Sequence, residues 1–313
     1  MTSTISGSQA PQARTFGEPH LLTDGDLALL AFAADGSLWS VEEPGVLRHW
    51  TASGKPVESH ALSDLETLWA FSKDARVLAS GSDDLTLWDT SSGHILTALA
   101  QDSWVTALAV APDPMFLATG HDDGTIRYWD FSGHAALKTF RHHTAPISAL
   151  AVRPDGKLLA AASEDCSITI WDLTTGDAVG TLVGHTDRIP ALAWHPTKNV
   201  LVSAGWDTTA RLWDVAAMTP VMLLNGHGPQ VTALAFSPAG NRLACADSGF
   251  NIHLWDFATL KPLHKLPCSA AEIRSVAFSP DGAILAATGD RIIHLWDVAT
   301  GQARSGDVRR SHA

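Results

Sequence analysis

The fifteen histidines are the side chains of this sequence that could perform the widest range of chemistry. An imidazole ring can hold a metal ion or carry protons near neutral pH. One repeat position holds His143, His185 and His227, and a second, two residues before a tryptophan, holds His253 and His294. Because they recur at fixed repeat positions, we predict structural roles for these histidines. No HExxH or CxxC set accompanies them, so no zinc site is predicted.

Motifs for nucleophilic catalysis and nucleotide binding are also missing from the sequence. It contains no G-x-S-x-G, no Walker loop and no dinucleotide-binding glycine pattern. The three cysteines, Cys166, Cys245 and Cys268, have no paired spacing, and nothing in the sequence singles out a Cys–His nucleophile. We therefore predict no catalytic residues, no cofactor and no metal, and expect that the protein is not an enzyme.

Evenly spaced tryptophans show which elements must position these residues. The spacings between consecutive members are 38, 41, 42, 42, 42 and 41 residues in the series Trp50, Trp88, Trp129, Trp171, Trp213, Trp255 and Trp296. Aspartate follows every one except Trp50, which precedes Thr51. A repeat of roughly 40–45 residues with Trp-Asp in each unit is typical of a four-stranded propeller blade. The sequence thus predicts seven blades.

Each unit contains four short strand candidates separated by turn residues. In unit six an apolar run from Val231 to Phe236 stops at Ser-Pro-Ala-Gly, and Thr175-Gly176 is one of the turns that follow Trp-Asp. Proline presets one turn dihedral and glycine permits positive φ, so these are turns with a physical cause. The strands are apolar on both faces, which favours sheets packed between neighbouring blades. Trp39, Trp69 and Trp194 fall in strands and are predicted to be core residues.

Composition limits the classes of partner. The net charge of −12 and the pI of about 5.6 disfavour general binding to nucleic acid, whose phosphates carry the same sign. Three unpaired cysteines are typical of a reducing compartment, and the polar N-terminus lacks the apolar core of a signal peptide. No apolar run approaches 18 residues. We expect a cytoplasmic protein, monomeric, with neither nucleic acid nor membrane as partner.

The two ends of the sequence predict how a ring of blades closes. The segment after Asp297, from Gln302 to Ala313, is polar and makes a poor outer strand, whereas Arg14-Thr15-Phe16 resembles the outer-strand segment Lys138-Thr139-Phe140. We predict that residues around Ala13 to Glu18 pair with the last blade and remove its open edge. The predicted organisation is a flexible tail over 1–12, one seven-bladed propeller over 13–303 and a polar tail over 304–313.

These Trp-Asp units and their turns resemble the WD-repeat β-propeller family over nearly the whole chain. The resemblance implies an all-β, seven-bladed β-propeller of four-stranded antiparallel blades, with the ring closed by an N-terminal outer strand. It further implies a scaffold for protein complexes without catalytic activity of its own.

The resemblance also implies a hydrogen-bonded set of His, Ser or Thr, Asp and Trp that ties each blade, because a buried indole N–H needs a partner. The residues assigned to this structural role are His143, Ser163, Asp165, Trp171, His185, Asp207, Trp213, His227, Asp123, Trp129, Asp290 and Trp296. Thr288 also holds the predicted hydroxyl position, two residues before the aspartate. Unit four has the best set. Unit five has Gly205 at the hydroxyl position, with Ser203 nearby, and Gly249 replaces the aspartate of unit six. Blades one and six are expected to be the weakest.

The same resemblance places the loops that enter the first strands, and the residues before the turn aspartates, on one narrow face, called here the top face. The predicted partner-binding residues on it are Trp104, Thr106, Asp122, Glu164, Arg188, Pro190, Trp206, Gln230, Glu272 and Arg274, with Pro146, Ser148 and Thr232 nearby. Trp104 and Trp206 replace smaller or polar residues of other units. They would contact a partner, as tryptophan does in interface hot spots, or lie flat and plug the channel.

Three functions remain open from the sequence. The first is a protein-interaction scaffold that binds a peptide or domain of unknown identity on the top face. The second is a small-ligand-binding or enzymatic propeller, with Asp122, Glu164, Arg188, Glu272 and Arg274 gathered at the mouth of the central channel. The third is a propeller module of a larger regulatory protein.

Overall fold

Short apolar runs between tight turns form 28 strands and no helix in the part of the chain that the structure describes. This computed structural model describes residues 21–23, 26–52, 54–62, 68–81, 84–111, 116–130, 136–268, 272–289 and 291–304. The strands form seven antiparallel four-stranded sheets, and each sheet is one blade. The predicted all-β, seven-bladed architecture is confirmed.

The strands of the first four blades run from the centre outwards in chain order. Blade one contains β2 (Leu27–Phe32), β3 (Leu38–Glu42), β4 (Val46–Trp50) and β5 (Pro56–Ala61). Blade two contains β6 (Leu68–Phe71), β7 (Val77–Gly81), β8 (Asp84–Asp89) and β9 (Ile95–Ala100). Blade three contains β10 (Val105–Val110), β11 (Phe116–His121), β12 (Thr125–Asp130) and β13 (Ala136–Arg141). Blade four contains β14 (Ile147–Val152), β15 (Leu158–Ser163), β16 (Ser167–Asp172) and β17 (Ala178–Val183).

Blades five and six repeat this order, and blade seven departs from it at its outer edge. Blade five contains β18 (Ala191–Trp194), β19 (Val200–Ala204), β20 (Ala210–Asp214) and β21 (Thr219–Leu224). Blade six contains β22 (Val231–Phe236), β23 (Arg242–Asp247), β24 (Asn251–Asp256) and β25 (Lys261–Pro267). Blade seven contains β26 (Val276–Phe278), β27 (Ile284–Gly289), β28 (Ile292–Asp297) and, outermost, β1 (Leu21–Leu22).

Both ends of the described chain share the outer edge of blade seven. Leu21 pairs with Ile293 and Leu22 with Ile292, while Ala303 forms a bridge with Trp296 further along the same strand. An N-terminal strand thus closes the ring, as predicted. The predicted closing segment, residues 13–18, lies outside the described residues. The segment from Gln302, predicted to be a poor outer strand, adds only the isolated bridge at Ala303 to this edge among the described residues.

The core consists of apolar clusters between neighbouring blades. Seven clusters occur, one at each blade interface, including the interface of blades seven and one, where Leu27 and Leu30 pack with Ala286 and Ile293. Second strands such as β15 are buried on both faces, whereas outer strands such as β5 are mostly exposed. Because each blade buries both its faces against neighbours, no blade has a core of its own.

The aspartate of the Trp-Asp pair caps the turn into the outer strand in blades two, four, five, six and seven. In blade four the Asp172 carboxylate accepts hydrogen bonds from the backbone N–H groups of Thr174 and Thr175, at 2.7 and 3.0 Å. Gly176 then takes a φ of 91°, which glycine adopts without steric cost. The tryptophans themselves are buried at the blade interfaces, with Trp213 the most buried at 1% exposure.

Candidate partner-binding face

A continuous hydrogen-bond chain in blade five fixes the loop that leads to the top face. The indole N–H of Trp213 donates to Ser203 Oγ at 2.8 Å, and Ser203 Oγ lies 2.7 Å from His185 Nε2. His185 Nδ1 in turn lies 2.8 Å from Asp207 Oδ2. Burial lowers the pKa of His185 despite the opposing effect of Asp207. The neutral ring accepts from the Ser203 hydroxyl and donates to the Asp207 carboxylate.

Blade four lacks the hydroxyl that completes this chain. His143 Nδ1 lies 2.8 Å from Asp165 Oδ2, but His143 Nε2 and the Trp171 indole nitrogen are buried without a hydrogen-bond partner. Ala161 occupies the strand position of Ser203, since Ala161 pairs with Thr169 as Ser203 pairs with Arg211.

The predicted hydroxyl positions were therefore misplaced by two residues. Ser163 Oγ donates to the Ala145 carbonyl at 3.1 Å, and Thr288 Oγ1 accepts from the backbone N–H groups of Arg274 and Ser275. Neither binds a tryptophan in the described contacts. The prediction that unit four is the best-tied blade is wrong, because blade five has the complete set.

The tryptophans of blades one, two and three find hydroxyl partners at the correct strand position. Their indole N–H groups donate to Ser40 at 2.8 Å, Ser80 at 2.8 Å and Thr119 at 3.0 Å. In blade three, His121 from the same strand takes the place of the loop histidine, with its Nε2 2.8 Å from Thr119 Oγ1. Asp123 caps its own turn by accepting from Thr125. Blade one, expected to be weak, keeps its central hydrogen bond.

Blade six has the most altered set. Cys245 stands at the hydroxyl position, and the Trp255 indole nitrogen and both ring nitrogens of His227 are buried without a hydrogen-bond partner. Asp247, two residues before Gly249, bonds instead to His253, with 2.8 Å between Oδ2 and Nε2. The expectation that blade six departs from the pattern holds, and Asp247 supplies a carboxylate that the repeat pattern placed elsewhere.

One backbone hydrogen bond recurs in five blades and builds the top face. The residue before the turn donates its N–H to the carbonyl of the loop that enters the first strand. The pairs are Glu43 with Asp26, Asp122 with Trp104, Glu164 with Pro146, Trp206 with Arg188 and Ser248 with Gln230, at 2.7 to 3.1 Å. These bonds hold the predicted top-face residues of blades three to six side by side in pairs.

Side-chain contacts between blades four and five connect three predicted top-face residues, Glu164, Arg188 and Trp206. The Arg188 guanidinium carbon lies 5.2 Å from the centroid of the Trp206 ring, and Arg188 Nε lies 3.7 Å from Glu164 Oε1. The guanidinium thus sits over an aromatic face and beside a carboxylate, an arrangement that orients a half-buried tryptophan.

Trp104 lies at the entrance of blade three and is 64% exposed, the most exposed tryptophan among the described residues. Tryptophan is among the residue types enriched in interface hot spots, which makes this exposed indole a candidate contact residue.

The channel mouth brings together Thr106, Pro190 and Arg274. All three line a cavity of about 390 Å³, where they lie beside Glu43, Ser148 and apolar side chains of the first strands. Arg274 Nη1 lies 2.5 Å from Glu43 Oε1 and its Nε lies 4.0 Å from Glu272 Oε2. Glu43 was missed from the sequence, because unit one carries little of the repeat pattern, although it precedes a turn as Glu164 does.

Some predictions fall outside what the structure describes. Asp290 lies outside the described residues. Trp39 and Trp194 are buried as predicted, while Trp69 is half-buried. Within the described ranges, no helix has the length and apolar character needed to cross a membrane.

Comparison with known proteins agrees with the repeat pattern. A family model described as "WD domain, G-beta repeat" matches residues 90–130, 135–172, 176–214, 218–256 and 260–297. The nuclear distribution protein PAC1 of Arthroderma otae is 38% identical over 73 residues, which are 23% of this chain and 16% of that protein. Nuclear distribution protein nudF of Aspergillus niger is 35% identical over 86 residues, 26% of this chain and 19% of that protein.

A solved structure resembles the whole ring. A chain from the structure titled "Crystal Structure of Mitotic Checkpoint Complex" superposes with a TM-score of 0.80 at 24% identity, covering 95% of this chain and 97% of that chain. At this identity the likeness shows the fold alone. The sequence alignments to the two fungal proteins span less than a fifth of their lengths.

Proposed function

This chain belongs to the WD domain, G-beta repeat family, and on that basis we propose that it is a non-catalytic scaffold that binds a protein partner, a peptide or a domain, on its top face. The scaffold acts as a cytoplasmic monomer, without nucleic acid or membrane as partner. Its net charge of −12 and its free cysteines support these expectations.

The exposed Trp104 is the observation that carries this proposal. Trp206 with the guanidinium of Arg188 across its face adds a second anchor on the same side. Tryptophan and arginine are enriched among residues that contribute most to binding energy. The backbone bonds from Asp122 to Trp104 and from Trp206 to Arg188 hold both anchors in place before binding, which lowers the entropic cost of association.

Negative charge on the top face favours a partner with basic residues. Acidic side chains surround the anchors: Asp122 beside Trp104, Glu164 beside Arg188, and Glu43 and Glu272 beside Arg274. Complementary charge mainly raises the association rate and the specificity, so the aromatic anchors supply most of the affinity.

The names of the relatives are consistent with a scaffold but do not identify the partner. PAC1 and nudF are named nuclear distribution proteins, and the solved structure is that of a checkpoint complex. The alignments cover too little of the fungal proteins to transfer their partners. A propeller module of a larger regulatory protein would use the same face.

A small ligand at the channel mouth is the second candidate function. The cavity of about 390 Å³ lies in the size range of ligand sites, and Thr106, Ser148 and Arg274 offer polar groups at its edge. The ion pair of Arg274 with Glu43 competes with any such ligand for the guanidinium.

Affinity capture with matched variants tests the scaffold. Wild-type protein, a Trp104→Ala, Trp206→Ala variant and an Ile95→Ala, Leu96→Ala control would be immobilised in turn, and the proteins retained from a lysate of the source cell identified. Ile95 and Leu96 are exposed apolar residues of the outer strand β9, away from the top face. Circular dichroism would verify that all three are folded.

A protein retained by wild type and by the control, and lost by the tryptophan variant, is the expected result. A partner that all three folded proteins retain equally would place binding elsewhere on the ring. If none retains a protein specifically, the scaffold proposal loses its support and the channel-mouth ligand becomes the better candidate.

A further inference from the structure

Three side chains with metal-binding atoms meet in blade six. His227 lies in the loop before β22, Asp247 ends β23, and His253 lies in β24. The ring nitrogens and the carboxylate oxygen that these residues offer all lie within 4.8 Å of one another. Among the residues that the structure describes, this is the one group of three or more His, Cys, Asp or Glu side chains with such proximity.

The cluster exists because blade six departs from blade five at four equivalent positions. Where blade five has Ser203, Gly205, Asp207 and Arg211, blade six has Cys245, Asp247, Gly249 and His253. Cys245 and Gly249 remove both hydrogen-bond partners of the loop histidine. Asp247 and His253 bring a carboxylate and a second imidazole to the same place.

His227 shows the consequence most clearly. Its counterpart His185 bonds to both a carboxylate and a hydroxyl, whereas both ring nitrogens of His227 are buried without a partner. Its ring packs edge-on against His253, with 4.6 Å between the centroids. Leaving a buried polar atom unsatisfied costs on the order of 1–3 kcal/mol, so an unpartnered imidazole at this position calls for a ligand.

Asp247 is already oriented for such a ligand. Its Oδ2 lies 2.8 Å from His253 Nε2 and accepts the Gly228 N–H at 2.7 Å, and its Oδ1 accepts the Asn251 N–H at 3.1 Å. Backbone donors that hold a ligating carboxylate in one rotamer are a regular feature of metal sites.

We propose that His227, Asp247 and His253 bind one divalent transition-metal ion of the Zn²⁺ class, which ties blade six where the hydrogen-bonded set is missing. Two imidazoles and a carboxylate suit this ion, with bonds of about 2.0–2.2 Å. The ion would enter between Asp247 and His253 in place of their direct hydrogen bond. Zinc held by three protein ligands takes water in the fourth position. The site is independent of the proposed partner binding.

Zinc titration of the metal-stripped full chain tests the proposal. Isothermal titration calorimetry with zinc chloride should give one ion per chain, and the melting temperature should rise with the logarithm of the free zinc concentration. Magnesium chloride should do neither, since Mg²⁺ prefers oxygen ligands.

Two site variants and one matched control locate the ion. His227→Phe keeps a ring in place but removes both nitrogens, and His253→Thr introduces the residue that blade four carries there, Thr169. His294→Thr makes the same change at the equivalent position of blade seven, two residues before its tryptophan. Zinc binding and the zinc-dependent rise in melting temperature should be lost in both site variants and kept in the control.

Two outcomes would overturn the proposal: no stoichiometric zinc binding by folded wild-type protein, or zinc binding that persists in a folded His227→Phe or His253→Thr variant. If His253→Thr fails to fold, His227→Phe decides the matter, because no hydrogen bond of the described structure depends on its ring.

Discussion

At the scale of single residues, one atom decides whether a blade's central tryptophan is satisfied. The indole N–H has a hydroxyl acceptor in blades one, two, three and five. It has none in blades four and six, where Ala161 and Cys245 occupy that position. The repeat therefore tolerates a missing hydrogen bond at the same place twice.

Ala161→Ser should complete the hydrogen-bonded set of blade four. The new hydroxyl would accept from the Trp171 indole and face His143 Nε2, as Ser203 does in blade five. We expect the free energy of unfolding to rise by about 1 kcal/mol, measured by denaturant titration.

Ala160→Ser is the control for this change. Ala160 is equally buried but points to the other face of the strand, toward the core between blades four and five. A hydroxyl there buries a polar group in an apolar cluster and should lower stability. Equal effects of the two substitutions would contradict the assigned role of the position.

Sequence reasoning identified the histidine–aspartate pairs of blades four and five, but it misplaced the hydroxyls and missed His121 of blade three and Asp247 of blade six. The prediction placed the hydroxyl by its distance from the turn aspartate, whereas the hydroxyl faces tryptophan across the ladder and its position follows strand register. Ser40, Thr119 and Ser203 each lie ten residues before their tryptophan, a signal that counting from tryptophan would have found. The cluster in blade six was missed because its three residues share no short motif.

At the scale of elements, the strands could be predicted from the sequence, but the backbone strain in the turns between them could not. The turn between the second and third strands needs one residue with positive φ. Gly124 supplies it in blade three with a φ of 78°, but Cys166, Thr208 and Phe250 hold the same position in blades four to six at 67°, 70° and 62°. A β-branched residue such as Thr208 is disfavoured in this region.

Thr208→Asn should relieve that strain. Asparagine tolerates the left-handed region, and Thr208 is exposed, so the substitution removes no buried contact. We expect about 1 kcal/mol of added stability, measured as a rise in the denaturation midpoint. Thr186→Asn serves as the control, since Thr186 is exposed and has no positive φ; it should change stability little. A midpoint that Thr208→Asn leaves unchanged or lowers would show that this turn carries no strain.

At the scale of the whole molecule, the ring closes through main-chain pairing and side-chain packing together. An apolar cluster fills the interface between blades seven and one, as one does at each other interface, and β1 adds the outer strand. The sequence predicted closure by the N-terminal segment. It did not place the strand at Leu21–Leu22, because two residues carry too little pattern to be distinguished from their neighbours.

Removing residues 1–22 should weaken the ring more than removing residues 1–18. The longer deletion exposes the edge of β28 opposite Ile292 and Ile293, and the loss of two ladder residues should cost about 1–3 kcal/mol in the free energy of unfolding. Thermal melts of both truncated proteins would measure the difference. Removing residues 305–313 is the control, since it keeps the Ala303 bridge. Identical melting temperatures for the two N-terminal deletions would exclude β1 as the stabilising strand.

The shared outer edge of blade seven also determines how the connectivity of the chain could be changed. Leu21 pairs with Ile293 and Ala303 with Trp296, so the two ends of the described chain lie beside one strand, β28, three residues or about 10 Å apart along it. A peptide linker of a few residues could join them into a circle. The protein is then a natural subject for circular permutation, in which new termini are opened in any exposed loop while all seven blades are kept.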